Sequence, residues 1–410
     1  MAEGVVPLGT QLTNGYVVIA ALLWAMLLGW PLLMWPRTDR WTRWWTLGAL
    51  AVGLGVSLVR FDSTPPETTL PDIPNVMELL SAERNWLWLF LEKRTIAGIG
   101  WNGLPWYALN RLTESYLGER LVGFAAHGML ILAVGCTAER WVGRTGLPVA
   151  LAAVATTPAT WWLSRHWMGP DVLLLQLGLL VALDTARRGS GARAAIAVVA
   201  AGLVLALSCY TYIAARVLLA YPLGMVRGRR LVAVYAIALA GVTPLWWIPY
   251  VQGQDIPILF APQRTSALWV SPEQGTVRSL NSLVDRRYGY SGAASWPGAQ
   301  TLPYTEQLLV AVGAVAGGWR WLPAVGLGLL PDAVSGGGKS HRQMMAILPL
   351  AFLAGSAGRV IGPVVGAIAG IGLAIDGVTS WFHYWVPDYR PNRMYPCANE
   401  PKAVWCGGPP

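Results

Sequence analysis

The chain has 410 residues, of which 54% are hydrophobic and only 12% charged, about half the charged share of an ordinary soluble domain. That composition leaves almost no room for a conventional soluble domain. The net charge of +9 lacks the basic face of a folded soluble domain, so it excludes nucleic acid as a partner and reads as membrane topology.

The 23 Trp and 46 Gly suit a helical membrane bundle, with Trp at the interfaces and Gly where helices approach closely. Residues 1–15 hold no Lys or Arg, and the apolar run 16–35 is too long for the core of a signal peptide, so it is read as the first span. Further apolar runs follow at 46–59, 121–135, 146–163, 171–183, 194–209, 212–226, 231–248, 307–318, 321–331, 345–357 and 360–380. The expected fold class is therefore an all-α polytopic membrane protein, a bundle of about 12 (10–13) transmembrane helices of the length a bilayer demands. The pair 307–318 and 321–331 is short enough to form a re-entrant hairpin instead. Residues 1–380 are expected to make a single transmembrane domain, followed by a tail at 381–410.

Alternate connections collect Arg37, Arg40, Arg43, Arg140, Arg144, Arg187, Arg188, Arg193, Arg227, Arg229, Arg230, Arg320 and Arg359, thirteen arginines against Asp39, Glu139 and Asp184. The opposite short connections carry almost none beyond Arg165 and His166. The positive-inside rule places the arginine-rich side in the cytosol. Both termini are then expected outside a bacterial inner membrane, in the periplasm. Three long segments share that outer side: 60–120, 249–306 and 381–410. Within the first, Asn75–Leu91 and Trp106–Arg120 alternate apolar and polar faces at helical spacing and are read as surface helices.

Cys136 and Cys209 lie in apolar runs as small core residues, whereas Cys397 and Cys406 stand in a polar tail where a disulfide forms if the compartment is oxidising. GGGKSHR (336–342) is not a phosphate loop, because Ala333 occupies the position where that pattern needs Gly. His127, His166, His341 and His383 lack metal-ligand spacing, so no metal site is assigned. Asp62, Glu67, Asp72 and Glu78 crowd the start of the first outer loop, either as a solvated turn or as a source of a general base. Arg216, one turn into an apolar run, either snorkels to the interface or faces a functional cavity.

Taken in order, these pieces resemble the bacterial polyprenyl-phosphate-sugar glycosyltransferases of the GT-C superfamily. The segments are VRFDSTPPETTLPD (59–72), NGLPWYAL (102–109), GERLVGF (118–124), LSRHWMGPD (163–171), YTYIAAR (210–216), QRTSALWVSPE (263–273) and LPDAVSGGGKSHRQMMAILP (330–349). The resemblance covers roughly residues 45–355 and implies a GT-C-like bundle with surface helices in the first outer loop. It implies transfer of a sugar from a polyprenyl-phosphate carrier to an acceptor at the outer face of the inner membrane, with Asp72 as catalytic base. Arg165, Tyr212, Arg216, Lys339, His341 and Arg342 are the implied contacts to the donor phosphate or sugar. A divalent cation at that phosphate stays open. The implied partners are the lipid-linked donor and membrane lipids.

The chain departs from the family at its second acidic residue: Asp72 is followed by Ile73 and Pro74, with the spacing from Pro65-Pro66 one residue longer. An added helix at 16–35 precedes the family's first, and no large C-terminal soluble domain follows the last. The departures leave a second expectation open, a catalytically inactive GT-C-like subunit with a structural role in a larger membrane complex. Its partners would meet the surface helices and the C-terminal tail.

Overall fold

The computed structural model describes residues 22, 24–58, 117–163, 170–211, 213–243, 272–284, 301–334 and 340–385. The described residues are all-α, with no strand among them. In chain order the helices are α1 (24–34), α2 (Arg40–Leu58), α3 (Leu117–Thr137), α4 (Glu139–Val142), α5 (Leu147–Thr156), α6 (Pro158–Leu163), α7 (Pro170–Arg188), α8 (Gly191–Cys209), α9 (Tyr221–Met225), α10 (Arg229–Val242), α11 (Pro272–Val284), α12 (Tyr304–Val315), α13 (Leu322–Ala333), α14 (Met344–Ser356) and α15 (Gly358–Trp385). Tight 3-10 turns lie at Trp35–Arg37, Ile213–Ala220, Gly318–Trp321 and Ser340–Gln343.

The described residues form two compact units. One takes those within Met1–Trp30, Asp72–Val122 and Leu174–Arg264, the other those within Pro31–Pro71, Gly123–Leu173 and Thr265–Pro410.

In the first unit α8 and α10 pack through small residues: a side chain added at Gly202 would overlap Ile237, and one added at Gly241 would overlap Ala206. The contacts advance together along both helices, so α8 and α10 run parallel. The segment between them returns the chain. The apolar run read as a span at 212–226 forms the 3-10 turn Ile213–Ala220 followed by α9. A 3-10 helix rises about 2.0 Å per residue against 1.5 Å for an α-helix, so these thirteen residues extend roughly 24 Å by that arithmetic. Hydroxyls tie the returning segment down: Tyr235 donates to the Leu219 carbonyl at 2.6 Å and Gln176 Nε2 donates to the Tyr221 oxygen at 2.7 Å.

The second unit is built around α5 and α14, whose described side chains are all buried. A helix apolar on every side belongs at the centre of a bundle rather than at its surface. Against α5 packs α15, whose glycines at 366, 370 and 377 share one face: a Cβ there would overlap the backbone of Thr145, Pro148 and Thr156. The other face of α15 exposes Val360, Val364, Val365, Ile368, Ile371 and Ile375. Large aliphatic side chains on the outside and glycines on the inside are the reverse of a water-facing helix.

Helix breaks have local causes. Pro158 pushes Thr157 out of the helical region, to φ −57° and ψ 131°, and separates α5 from α6 where the sequence predicts one run at 146–163. Gly317 takes φ 88°, which lets α12 and α13 meet at a 108° bend. Gly362, at φ 75°, interrupts α15 just before Pro363.

Among the described residues two helices are long and apolar enough to cross a membrane, at Gly191–Cys209 and Gly358–Ser380, and the bent pair Tyr304–Val315 with Gly318–Ala333 makes a third if it is one span. Other apolar runs give shorter helices, at Leu121–Thr137, Leu147–Thr156, Ala214–Met225 and Met344–Ser356. α7 is long, but carries Asp171, Asp184, Arg187 and Arg188.

Four connections gather at one end of the second unit. Thr42 donates to Glu139 at 3.4 Å, Arg359 donates to the Trp141 carbonyl, and Trp141, Trp321 and Phe352 stack with centroids 5.0–6.0 Å apart. The Arg144 guanidinium lies 5.7 Å from the Trp41 ring centre, and Arg140 lies 5.6 Å from that of Trp141. Asp39 caps α2 there: its carboxylate accepts from the Thr42 N–H at 2.9 Å, which holds its carboxyl below the usual carboxylate range.

Candidate functional site

The opposite end of the second unit holds a buried polar cluster. It is centred on Gln343, at the close of the Gly-rich segment singled out above. Asp332, the last residue but one of α13, is fully buried, and the turn Ser340–Gln343 leads into α14. Gln343 Nε2 donates to Asp332 Oδ2 at 2.8 Å and lies 2.6 Å from Ser282 Oγ and 3.0 Å from the Ser279 carbonyl. An amide nitrogen has two hydrogens, so these acceptors share them, with the carboxylate the strongest claimant. The amide orientation follows from the partners: a carboxylate requires the NH₂ side, and the Thr301 hydroxyl then donates to Gln343 Oε1 at 3.0 Å. Ser282 spends its own proton on the Ser279 carbonyl at 2.9 Å, leaving its oxygen free to accept.

The cluster draws in parts of the second long loop. α11 lies within the expected loop 249–306, where its helix was not anticipated, and supplies both serines. Residues 301 and 302 donate backbone N–H bonds to the Ser282 and Leu283 carbonyls at 3.2 and 3.0 Å. Gly275 of α11 sits so close to the Ala333 carbonyl that any side chain there would overlap it. The base of the 335–339 segment is thereby clamped from three sides by buried hydrogen bonds, each worth more away from water.

Three residues past Thr301, the first turn of α12 brings a second carboxylate. Glu306 is 1% exposed, and the Thr157 hydroxyl donates to its Oε2 at 2.5 Å. Thr157 can reach because the break before Pro158 turns it out of helical register. Asp376, from the middle of α15, accepts the Thr305 N–H at 2.9 Å and so satisfies one of the orphan donors at the start of α12. Val154, three residues before Thr157, meets His127, which is buried with its Nε2 3.2 Å from the Val154 carbonyl, so that nitrogen carries the proton; Nδ1 has no partner among the described residues. Asp171 is buried in the first turn of α7.

Of the residues singled out from the sequence, Asp72, Arg165, Tyr212, Lys339, Cys397 and Cys406 lie outside the described residues, as do the surface helix at 75–91 and most of that at 106–120. His341 and Arg342 stand in the turn Ser340–Gln343, directly before Gln343, and Arg342 is half-buried. Arg216 is half-buried in the turn Ile213–Ala220. It belongs to the first unit, whereas His341 and Arg342 belong to the second. Among the described residues no group of three or more His, Cys, Asp and Glu is placed to hold a metal ion.

Asp332, Gln343, Glu306 and Asp376 were missed by the sequence reading. One signal was available for Asp376: an acidic residue inside an apolar run is as costly as Arg216 and carries the same functional presumption. No family model matches the chain, and no curated protein and no solved structure matches it either.

Proposed function

We propose that the protein is a membrane glycosyltransferase of GT-C type, moving a sugar from a polyprenyl-phosphate carrier to an acceptor at the outer face of a bacterial inner membrane. The observation that carries the reading is the buried clasp of Asp332, Gln343, Ser279, Ser282 and Thr301, which holds the base of the segment bearing Lys339, His341 and Arg342. A donor phosphate departing from a sugar needs fixed cations, and cations beside a Gly-rich run are useful only if the residues flanking it are held rigidly. The order of the seven resembling segments along the chain supports the same reading.

Further support comes from the arrangement of ends. The arginine-bearing connections of the second unit meet at one end, and the carboxylate-bearing cluster lies at the other. A twelve-span bundle with both termini in the periplasm accounts for that separation, with the outward aliphatic face of α15 against lipid. In this reading Asp72 is the general base. Arg165, Tyr212, Arg216, Lys339, His341 and Arg342 contact the donor.

A second reading has its own observation. The residue after Asp72 is Ile73, not a second carboxylate, which favours an inactive subunit of a membrane complex. The deciding experiment uses the purified full chain in nanodiscs with a polyprenyl-phosphate-linked sugar, reading release of the lipid phosphate. Transfer by the wild type, lowered about 10²–10⁴-fold in Asp72→Asn at unchanged yield, is the result expected of an enzyme losing its base. No release with any such donor, together with stoichiometric co-purification of other membrane proteins, gives the subunit reading instead.

A further inference from the structure

We infer that the first unit carries a binding site for an anionic phosphate headgroup, formed where α7, α9 and α10 meet. A cavity of about 540 Å³ opens there, lined by Arg187, Met225, Val226, Arg227, Arg229 and Arg230. It does not rest on the glycosyltransferase reading, which uses other residues.

The arginines divide by what already holds them. Arg230 donates to the carbonyls of Ala186, Arg187 and Gly189, closing the C-terminus of α7, so it is part of the wall. Arg187 and Arg188 both pair with the buried Asp184, at 3.0 and 2.9 Å. Asp184 is the one carboxylate in 184–193 and 224–230, against six arginines there. Arg227 and Arg229 are exposed, and no carboxylate pairs with either among the described residues. Two unspent guanidiniums flank Gly228, whose φ of 58° turns the chain sharply between α9 and α10. Their planar forks match phosphate oxygens, which accept paired N–H bonds.

Neighbouring residues in α9 and α10 point to the occupant. Leu223 and Val232, one on either side of the arginines, are 64% and 68% exposed. Cations set between exposed aliphatic side chains suit a ligand with a charged head and an apolar body. Basic pockets beside membrane helices on the arginine-rich side bind acidic lipid headgroups for this reason. The shared chemistry is an anionic phosphate group; an anionic phospholipid supplies it as a diester bearing acyl chains, and inorganic phosphate supplies the charge alone.

The test uses the purified full chain in nanodiscs of phosphatidylcholine with or without phosphatidylglycerol. Retained lipid is read by native mass spectrometry, and thermal unfolding is followed in detergent with added inorganic phosphate. The wild type is expected to retain phosphatidylglycerol over phosphatidylcholine, and Arg227→Ala/Arg229→Ala to bind it roughly thirtyfold more weakly, from about fivefold per cation. Stabilisation by inorganic phosphate as large as that by the lipid, and lost in the same variant, assigns the site to free phosphate; selective lipid retention assigns it to a membrane headgroup. Equal retention of the two lipids by the wild type with no shift from phosphate overturns the site. So does a variant indistinguishable from wild type with both probes. If the double variant does not fold, Arg227→Lys/Arg229→Lys replaces it. That variant keeps the charge and loses the fork, so retention as strong as the wild type's removes the guanidinium–phosphate contact.

Discussion

Gln343 shows how much of the candidate site rests on one uncharged side chain. It gives the buried Asp332 carboxylate a donor and takes a proton from Thr301. Replacing it with Leu, close in volume, removes both partners at once. Leaving a buried carboxylate short of a donor costs about 2–3 kcal/mol, so Gln343→Leu is expected to lower the unfolding midpoint in detergent clearly. Adding Asp332→Asn removes the charge that has lost this donor and should recover some of the loss. A Gln343→Leu chain as stable as the wild type would show the clasp to be incidental. The sequence pointed at this segment through its glycines and cations, but assigned its chemistry to Lys339, His341 and Arg342 alone. Ser279, Ser282 and Thr301 lie 64, 61 and 42 positions from Gln343. No local pattern relates residues so far apart.

At the scale of elements, apolar runs located the helices, and glycines and prolines decided where each was continuous. The run at 307–331 became a bend of 108° at Gly317. The run at 146–163 broke at Thr157, and that break set the Glu306 partner in place. α12 is held against α14 at Gly313, where a Cβ would overlap the Leu353 carbonyl. Gly313→Ala must therefore push these buried helices apart, and is expected to cost about 1–3 kcal/mol, the usual range for overpacking. Gly326→Ala, in α13 with open space around the added carbon, is the matched control and should be neutral or slightly stabilising. Equal behaviour of the two variants in thermal unfolding would mean that α12 and α14 are not packed as described. The close approach was not legible beforehand, because the chain has 46 glycines and composition does not tell a packed glycine from an exposed one.

For the whole molecule, reporter fusions at residue 5 and residue 408 are expected to read periplasmic, since the positive-inside rule assigns the thirteen arginines on alternate connections to the cytosol. A cytosolic signal from one fusion alone would remove the twelve-span count, because an even number of crossings puts both ends together; cytosolic signals from both would invert the topology. The sequence by itself determined the all-α character and where the apolar helices lie. Each is a sum over neighbouring residues, of transfer free energy and of helical period, and needs no distant partner. Tertiary structure alone decided that 213–225 returns as a 3-10 turn and a short helix between parallel neighbours. It alone decided that Asp332, Glu306 and Asp171 are buried rather than solvated. Burial of a carboxylate depends on donors brought from other helices, and the cost of a broken helix depends on what packs beside it; neither quantity exists until the chain is folded.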